Sequence, residues 1–404
     1  MHIRDRFISP RHFIFLSILL LGILLQRCTT ADRYETSGLQ PVLDSLQSIY
    51  APDKRVKLWV VSKQDNNMSI WVEDAGAFKA LKTIFKKQFP EIKVDLELLP
   101  EKQNGSPVSG LINNSVANLR TKPKHSAEMA TQALLGTPVR VFKKQGEWYL
   151  IQMPNRYIAW VDSAALVTID KNQLSALKQL KKVVFIPVSG FSYSKPNAAS
   201  QTVSDLVMGC LLPVVDSVKR FYKVHYPDGR IAWVKKEEVT GFKSFVSQKP
   251  DRQVVISTAK KFLGFPYMWG GTSSKAVDCS GFTSTAYFMN GIILQRDASQ
   301  QTKYGKEITT LYKSDNLQAG DLLFFGRPAS KTKSERVTHV ALYLGNGEFI
   351  HASGKVRINS MDSTKPNFIR SYVPRFVRVN RIFGFIAGNG IEYVKNNPFY
   401  KEIN

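Results

Sequence analysis

Residues 267–271 read Tyr-Met-Trp-Gly-Gly, and residues 278–289 read Asp-Cys-Ser-Gly-Phe-Thr-Ser-Thr-Ala-Tyr-Phe-Met. The second stretch predicts a helix. Asp278 is a good N-cap residue, and Asn290-Gly291 marks the stop. Cys279 then opens the first turn, where the helix dipole lowers a thiol's pKa and favours the nucleophilic thiolate. A lone cysteine is usually a small buried hydrophobe. This one follows a glycine-rich aromatic loop at a helix start, and so reads as a nucleophile. Upstream, residues 254–263 predict another helix, ended by Gly264-Phe265-Pro266.

A thiolate nucleophile wants an imidazole partner. The chain has six histidines. His2 and His12 belong to the extreme N-terminal segment, and His125 and His225 to a repeat described below. His339 and His351 remain, in two alternating runs around the turn Gly345-Asn346-Gly347. A three-residue loop would pair Leu344 with Glu348 and Ala341 with His351. The two histidines would then be diagonal neighbours on one face. A two-residue loop would send them to opposite faces.

Outside this region an internal repeat organises the chain. Residues 115–167 align with residues 188–240 at a constant offset of 73. Lys122-Pro123 falls on Lys195-Pro196, Gly136 on Gly209, and Trp148-Tyr149 on Phe221-Tyr222. Ile158-Ala159-Trp160-Val161 falls on Ile231-Ala232-Trp233-Val234. Short alternating runs between turn residues predict two small all-β barrels. Trp148 and Trp160 are expected in the barrel core, and Cys210 as a buried, unreactive thiol. Ahead of the repeat, strands are expected at 56–61 and 92–98. Between them Phe78, Leu81, Ile84, Phe85 and Phe89 recur at helical spacing, with Lys79, Lys82, Lys86 and Lys87 opposite. Pro90 ends that helix. Segments 101–114 and 241–252 read as linkers.

Composition limits the function classes. The chain has 404 residues, 43% hydrophobic and 22% charged, so it is not a disordered chain. Three cysteines exclude a disulfide scaffold and a multi-cysteine zinc framework. The net charge of +24 suits a polyanionic neighbourhood. Arg4, Arg6 and Arg11 precede an apolar run over residues 13–25, which reads as an export signal. That run is shorter than a helical membrane span. Cys28 follows at once and resembles the cysteine of a bacterial lipoprotein signal, although Gln26 and Arg27 depart from the small residues such a site prefers. The expected location is therefore the periplasm or cell envelope, with membrane attachment through a lipidated Cys28 an open alternative. Export, and basic residues spread along the whole chain, argue against a nucleic-acid partner.

Tyr267-x-Trp269-Gly270-Gly271, Asp278-Cys279-Ser280-Gly281, residues 317–325 and His339-Val340-Ala341-Leu342-Tyr343-Leu344 together resemble the NlpC/P60 cysteine peptidases of bacterial cell walls. The repeats resemble bacterial SH3-like domains. The resemblance implies an α+β fold: a papain-like cysteine peptidase core preceded by two small SH3-like β-barrels and a short N-terminal α/β segment. The expected division is 1–28 export signal, 35–100 N-terminal segment, 108–170 and 183–243 barrels, and 251–395 catalytic domain. Roles implied by the family are nucleophile for Cys279, base for His339 and imidazole-orienting residue for His351. The basic stretch 327–336 is expected to flank the cleft.

The domain order is similar to that of γ-D-glutamyl-L-diamino acid endopeptidases, or dipeptidyl-peptidase VI enzymes. These cut L-Ala-γ-D-Glu from the diamino acid of a peptidoglycan stem peptide and require a free amino terminus. The likeness implies that Asp297 binds the ammonium and that Glu128 and Tyr157 of the first barrel close the pocket. Tyr267, Trp269, Asp278 and Ser280 would line the substrate. The alternative partner for Asp297 is its neighbour Arg296. No metal or organic cofactor is implied. Two other readings stay open: a broader murein hydrolase or N-acetylmuramoyl-L-alanine amidase, and a non-catalytic wall-binding protein.

Overall fold

The computed structural model describes residues 38–404 apart from 65, 66, 101, 104, 105, 313, 387 and 389. The export signal and Cys28 lie outside the described residues. After a helix at Leu39–Tyr50, a three-stranded sheet is built from Trp59–Gln64, Asn67–Val72 and Lys93–Leu98. The first strand thus starts three residues later than the sequence suggests, and residues 51–58 form a turn segment instead. The first two strands are antiparallel and the last two parallel, joined through the helix Ala75–Gln88. That helix is capped by the Asp74 side chain and buries Ala77, Leu81 and Phe85. The apolar stripe faces the sheet and the lysines face water, as the spacing requires.

Among the described residues an eight-stranded sheet follows, with seven strands over Ser106–Ile169 and Lys102–Gln103 added beside Ser106–Ile112, and then a seven-stranded sheet over Lys181–Gly241. Their strands neighbour each other in the same order, and Val116–Arg120 corresponds to Ser189–Tyr193 at the offset seen in the sequence. Gly136 and Gly209 recur because the backbone demands it. They have φ of 76° and 93°, and a Cβ at Gly136 would lie 1.9 Å from the Leu211 carbonyl oxygen of the second barrel.

Three expectations fail here. Segment 101–114 is not a linker, because Ser106–Ile112 is a strand of the first barrel. Segment 241–252 carries the helix Phe242–Ser247, whose Phe242, Phe245 and Val246 are buried in the catalytic core. Trp148 and Trp160 are buried, but not inside the barrel. They point outward and join Leu58, Leu99, Phe142 and Leu150 in a cluster that includes Val60 and Trp71 of the N-terminal sheet. The barrel interior is filled by smaller residues such as Ile112, Val141, Ile151 and Val161. The N-terminal unit is therefore a docked layer on the first barrel, reinforced by Arg140–Glu73 at 3.1 Å and a Lys143–Glu97 ion pair.

The last third is an antiparallel six-stranded sheet. Its order is Lys306–Thr309, Phe376–Arg381, Leu322–Arg327, Arg336–Gly345, Glu348–Ser353, Lys355–Ser360. The helices Arg252–Lys260 and Cys279–Phe288 cover one face, packing Val255, Phe282 and Ala286 against Leu322, Phe324, Leu342 and Ile350. Alternate residues Leu323, Phe325, Ala341 and Phe349 face the other way, against Tyr372 and Phe376. This is the papain-like α+β core that the motifs imply.

Candidate active site

Cys279 is the first residue of its helix, and the Asp278 side chain caps it by accepting from the Gly281 N–H at 2.7 Å. Gly281 is obligatory, since a Cβ there would meet the Gly271 carbonyl oxygen at 2.0 Å. The remaining capacity of Asp278 is also committed. It accepts from the Gly270 N–H at 3.0 Å, from Ser280 Oγ at 3.3 Å, and from both terminal nitrogens of Arg296 at 3.2 and 2.6 Å. Arg296 is 1% exposed and also reaches Ser280 Oγ at 3.1 Å and Thr131 Oγ1 of the first barrel at 2.8 Å. Asp278 and Ser280 line the cleft but spend their polar atoms on this buried fork. Their geometry holds the 267–271 loop and the first barrel to the start of the cysteine helix.

The hairpin carrying the histidines turns differently from expectation. Its loop has two residues, Asn346 and Gly347, with φ of 52° and 75° and Gly345 paired to Glu348. A bulge follows at once, so that Tyr343 pairs with Phe349 and Leu342 with Ile350. The extra residue restores the register that a three-residue loop would have set. Both rings therefore lie on one face, with His339 Nε2 at 2.8 Å from His351 Nδ1. The backbone N–H of Val340, next to His339, favours the Cys279 thiolate.

The ring protons follow from the far end of this chain of bonds. Asn359 Nδ2 donates to the Asn367 carbonyl oxygen at 3.1 Å, which turns Asn359 Oδ1 toward His351 Nε2 at 2.9 Å. An amide oxygen only accepts, so His351 carries its proton on Nε2 and accepts at Nδ1. His339 must then carry its proton on Nε2, leaving Nδ1 bare as the basic nitrogen. Burial, the His351 ring and Arg375 hold the His339 pKa well below its ordinary value. Burial and Arg357 bring His351 down to about 4, against the opposing Asn359 bond. Cys279 behaves contrary to the helix-dipole expectation. Burial, and then the Asp278 charge, push its thiol up to about 11. Both shifts favour the neutral forms, thiol and imidazole.

A cleft of about 870 Å³ opens beside Cys279. It gathers Tyr267, Trp269, Asp278, Ser280 and Asp297 of the catalytic domain with Glu128 and Tyr157 of the first barrel. The exposed Trp269 donates its indole N–H to Glu128 Oε1 at 2.7 Å, so the two meet at the rim. Burial, and then the Asp297 charge, push Tyr157 upward, so it stays a neutral phenol. Tyr267 is raised to about 12 by burial and the neighbouring Cys279. Glu335 and Arg336, at the end of the 327–336 stretch, also line this cleft. Asp297 does not pair with Arg296. Its Oδ2 accepts from Arg55 Nη1 at 2.9 Å, a residue the sequence reading left unassigned. Asn359 likewise carries no signal in the sequence. Arg296 had signalled only as a neighbour of Asp297, and Asn359 lies on the strand after His351.

A model of the NlpC/P60 family matches residues 264–373, and one of the bacterial dipeptidyl-peptidase Sh3 domain matches residues 119–166. A γ-D-glutamyl-L-lysine dipeptidyl-peptidase of Bacillus cereus is 31% identical over 256 residues, covering 61% of this chain and 74% of that protein. The chain belongs to the NlpC/P60 family. It is a cysteine peptidase with a bacterial SH3 domain ahead of its catalytic domain. Dipeptidyl-peptidase 6 of Lysinibacillus sphaericus is 28% identical, and its whole length falls within 68% of this chain. The crystal structure of an NlpC/P60 family protein from Bacillus cereus superposes with a TM-score of 0.58 at 26% identity, over 68% of this chain and 99% of that one.

Proposed function

We propose that this peptidase is exported to the cell envelope and releases L-Ala-γ-D-Glu from the diamino acid of peptidoglycan stem peptides with a free amino terminus. The observation that carries the reading is that Asp297 lines the cleft of Cys279 together with Glu128 and Tyr157 from another domain. A buried ammonium needs such carboxylate partners. The dipeptidyl-peptidase names of the relatives support the same substrate class. The basic, apolar leader at residues 4–25 supports export, and Cys28 is a candidate lipid attachment point.

In the reaction, His339 Nδ1 takes the thiol proton as the sulfur attacks the γ-D-Glu carbonyl. Backbone N–H groups at the helix start, with the Tyr267 hydroxyl, stabilise the oxyanion. The imidazolium then protonates the leaving amine, and water hydrolyses the thioester. His351 and Asn359 hold the ring in its working tautomer.

The test is a comparison of free and N-acetylated tripeptide, with products identified by mass spectrometry. Acetylation removes the charge that Asp297 would meet and adds bulk, so kcat/KM should fall at least about a hundredfold, roughly 2.7 kcal/mol. Muramyl-linked stems should be poor for the same reason. Equal rates would overturn the reading and favour a broad murein hydrolase.

A further inference from the structure

Arg55 reaches the cleft from the turn segment before the N-terminal sheet, outside both matched family segments. Its guanidinium is shared between two carboxylates. Nε and Nη2 grip Asp53 Oδ1 and Oδ2, each at 2.8 Å, as a fork. Nη1 is left for Asp297 Oδ2 and Ser299 Oγ, each at 2.9 Å. The backbone is fixed as well. The Arg55 N–H donates to Asp53 Oδ1 at 3.0 Å, and its carbonyl accepts from the Ile158 N–H at 2.7 Å, next to Tyr157. Gln300 ties the two acids together. Its Nε2 donates to Asp53 Oδ2 at 3.0 Å while its Oε1 accepts from the Asp297 N–H at 3.1 Å. Hydrogen bonds from Arg55 and Gln300 outweigh burial and hold the Asp53 carboxyl below its ordinary range.

The charges settle what such a cluster recognises. Arginine stays protonated, so Arg55 facing Asp297 alone would cancel it and repel an incoming ammonium. Asp53 changes the balance, because two ionised carboxylates around one guanidinium leave one net negative charge. We propose that Arg55 and Asp53 are specificity-determining residues of the peptidase. Arg55 fixes the Asp297 carboxylate and closes the end of the cleft, and Asp53 offsets the arginine so that this three-residue cluster retains one net negative charge to meet one ammonium. The N-terminal unit is then part of the substrate site. This rests on Asp297 being the ammonium partner.

The test measures kcat/KM on three peptides: the free tripeptide, its N-acetyl form, and the tripeptide extended by one residue at its amino terminus. Asp53→Asn leaves the arginine uncompensated. It should lower the rate on the free tripeptide at least about tenfold and leave the acetylated one unchanged. Arg55→Ala opens the end of the cleft and should raise the rate on the extended peptide at least about tenfold. Arg55→Lys keeps the charge but cannot fork onto one acid and reach the other, so it should fall between parent and alanine variant. If Arg55→Ala does not fold, Asp53→Asn and Arg55→Lys decide alone. Variants that fold with the parent's Tm and keep its ratios among the three peptides would overturn the proposal while leaving the ammonium reading intact. A parent enzyme that cuts free and acetylated tripeptides equally would overturn both.

Discussion

Cys279 is pushed up and His339 down, which fixes the direction of the pH response. A protonated His339 cannot accept the thiol proton. Activity should be lost only as pH falls through the lowered histidine pKa, so the acid limb of kcat/KM lies below 6.5, where a free imidazole titrates. The alkaline limb belongs to the substrate. Its α-amino group loses its proton near about 8, and rates on the free tripeptide should decline there. An acid limb above 6.5 would contradict the burial argument. Cys279→Ala should abolish turnover with the fold intact, and a change at His339 should be nearly as severe. His351→Asn should keep more activity, because a neutral amide can still orient the ring. Iodoacetamide should label Cys279 before Cys210, which has no exposure and is pushed to about 12. Sequence spacing places Cys279 at a helix start and the two histidines on one face of a hairpin, as the structure has them, since each sits on a motif with its own local signal. The upward shift of the thiol is not legible there, because it depends on burial and on the Asp278 charge.

At the scale of elements, the histidine hairpin separates what pattern carries from what it does not. Alternation places both histidines on strands, and Asn346-Gly347 is the signature of a two-residue turn, but the compensating bulge at 343–345 has no distinct sequence signature. The right face is reached by a different turn. The strand Lys355–Ser360 then supplies Asn359, beyond the stretch in which motifs are recognisable. Replacing Asn359 with Leu removes the acceptor that sets both tautomers while leaving Cys279 untouched. The expected result is a fall in kcat of about tenfold, or ~1.4 kcal/mol, with KM unchanged. A matching rise in KM with constant kcat would assign Asn359 to substrate binding instead. The outward-facing Trp148 and Trp160 show the same limit. A period of two says that one face of a strand is apolar, and when both faces are covered it does not say which lies inside the barrel.

At the scale of the molecule, the two barrels differ in what they give the site. Among the described residues lining the cleft, several come from the first barrel and none from Lys181–Gly241. Gln201, the counterpart of Glu128, is exposed, and its side chain donates to the neighbouring Thr202 carbonyl oxygen. Gln201→Ala should therefore leave kcat/KM on the free tripeptide at the parent value. The N-terminal unit is different, although its sequence displays no chemistry. Arg55 meets Asp297 across 242 residues of chain, a distance over which sequence pattern carries no information. That contact depends on docking. Trp160 is 7% exposed and meets Trp71 edge-on, with ring centroids 6.3 Å apart. Two residues before it, the Ile158 N–H holds the Arg55 carbonyl, and Gln152 Nε2 holds the Val56 carbonyl at 3.0 Å. Trp160→Ala should cost about 3–5 kcal/mol of packing. The loss falls on the interface that delivers Arg55, not on the catalytic core. KM for the free tripeptide should therefore rise, while the rate of Cys279 alkylation by iodoacetamide stays at the parent value. If KM is unchanged in a Trp160→Ala protein whose Tm has dropped, docking of the N-terminal unit serves stability alone.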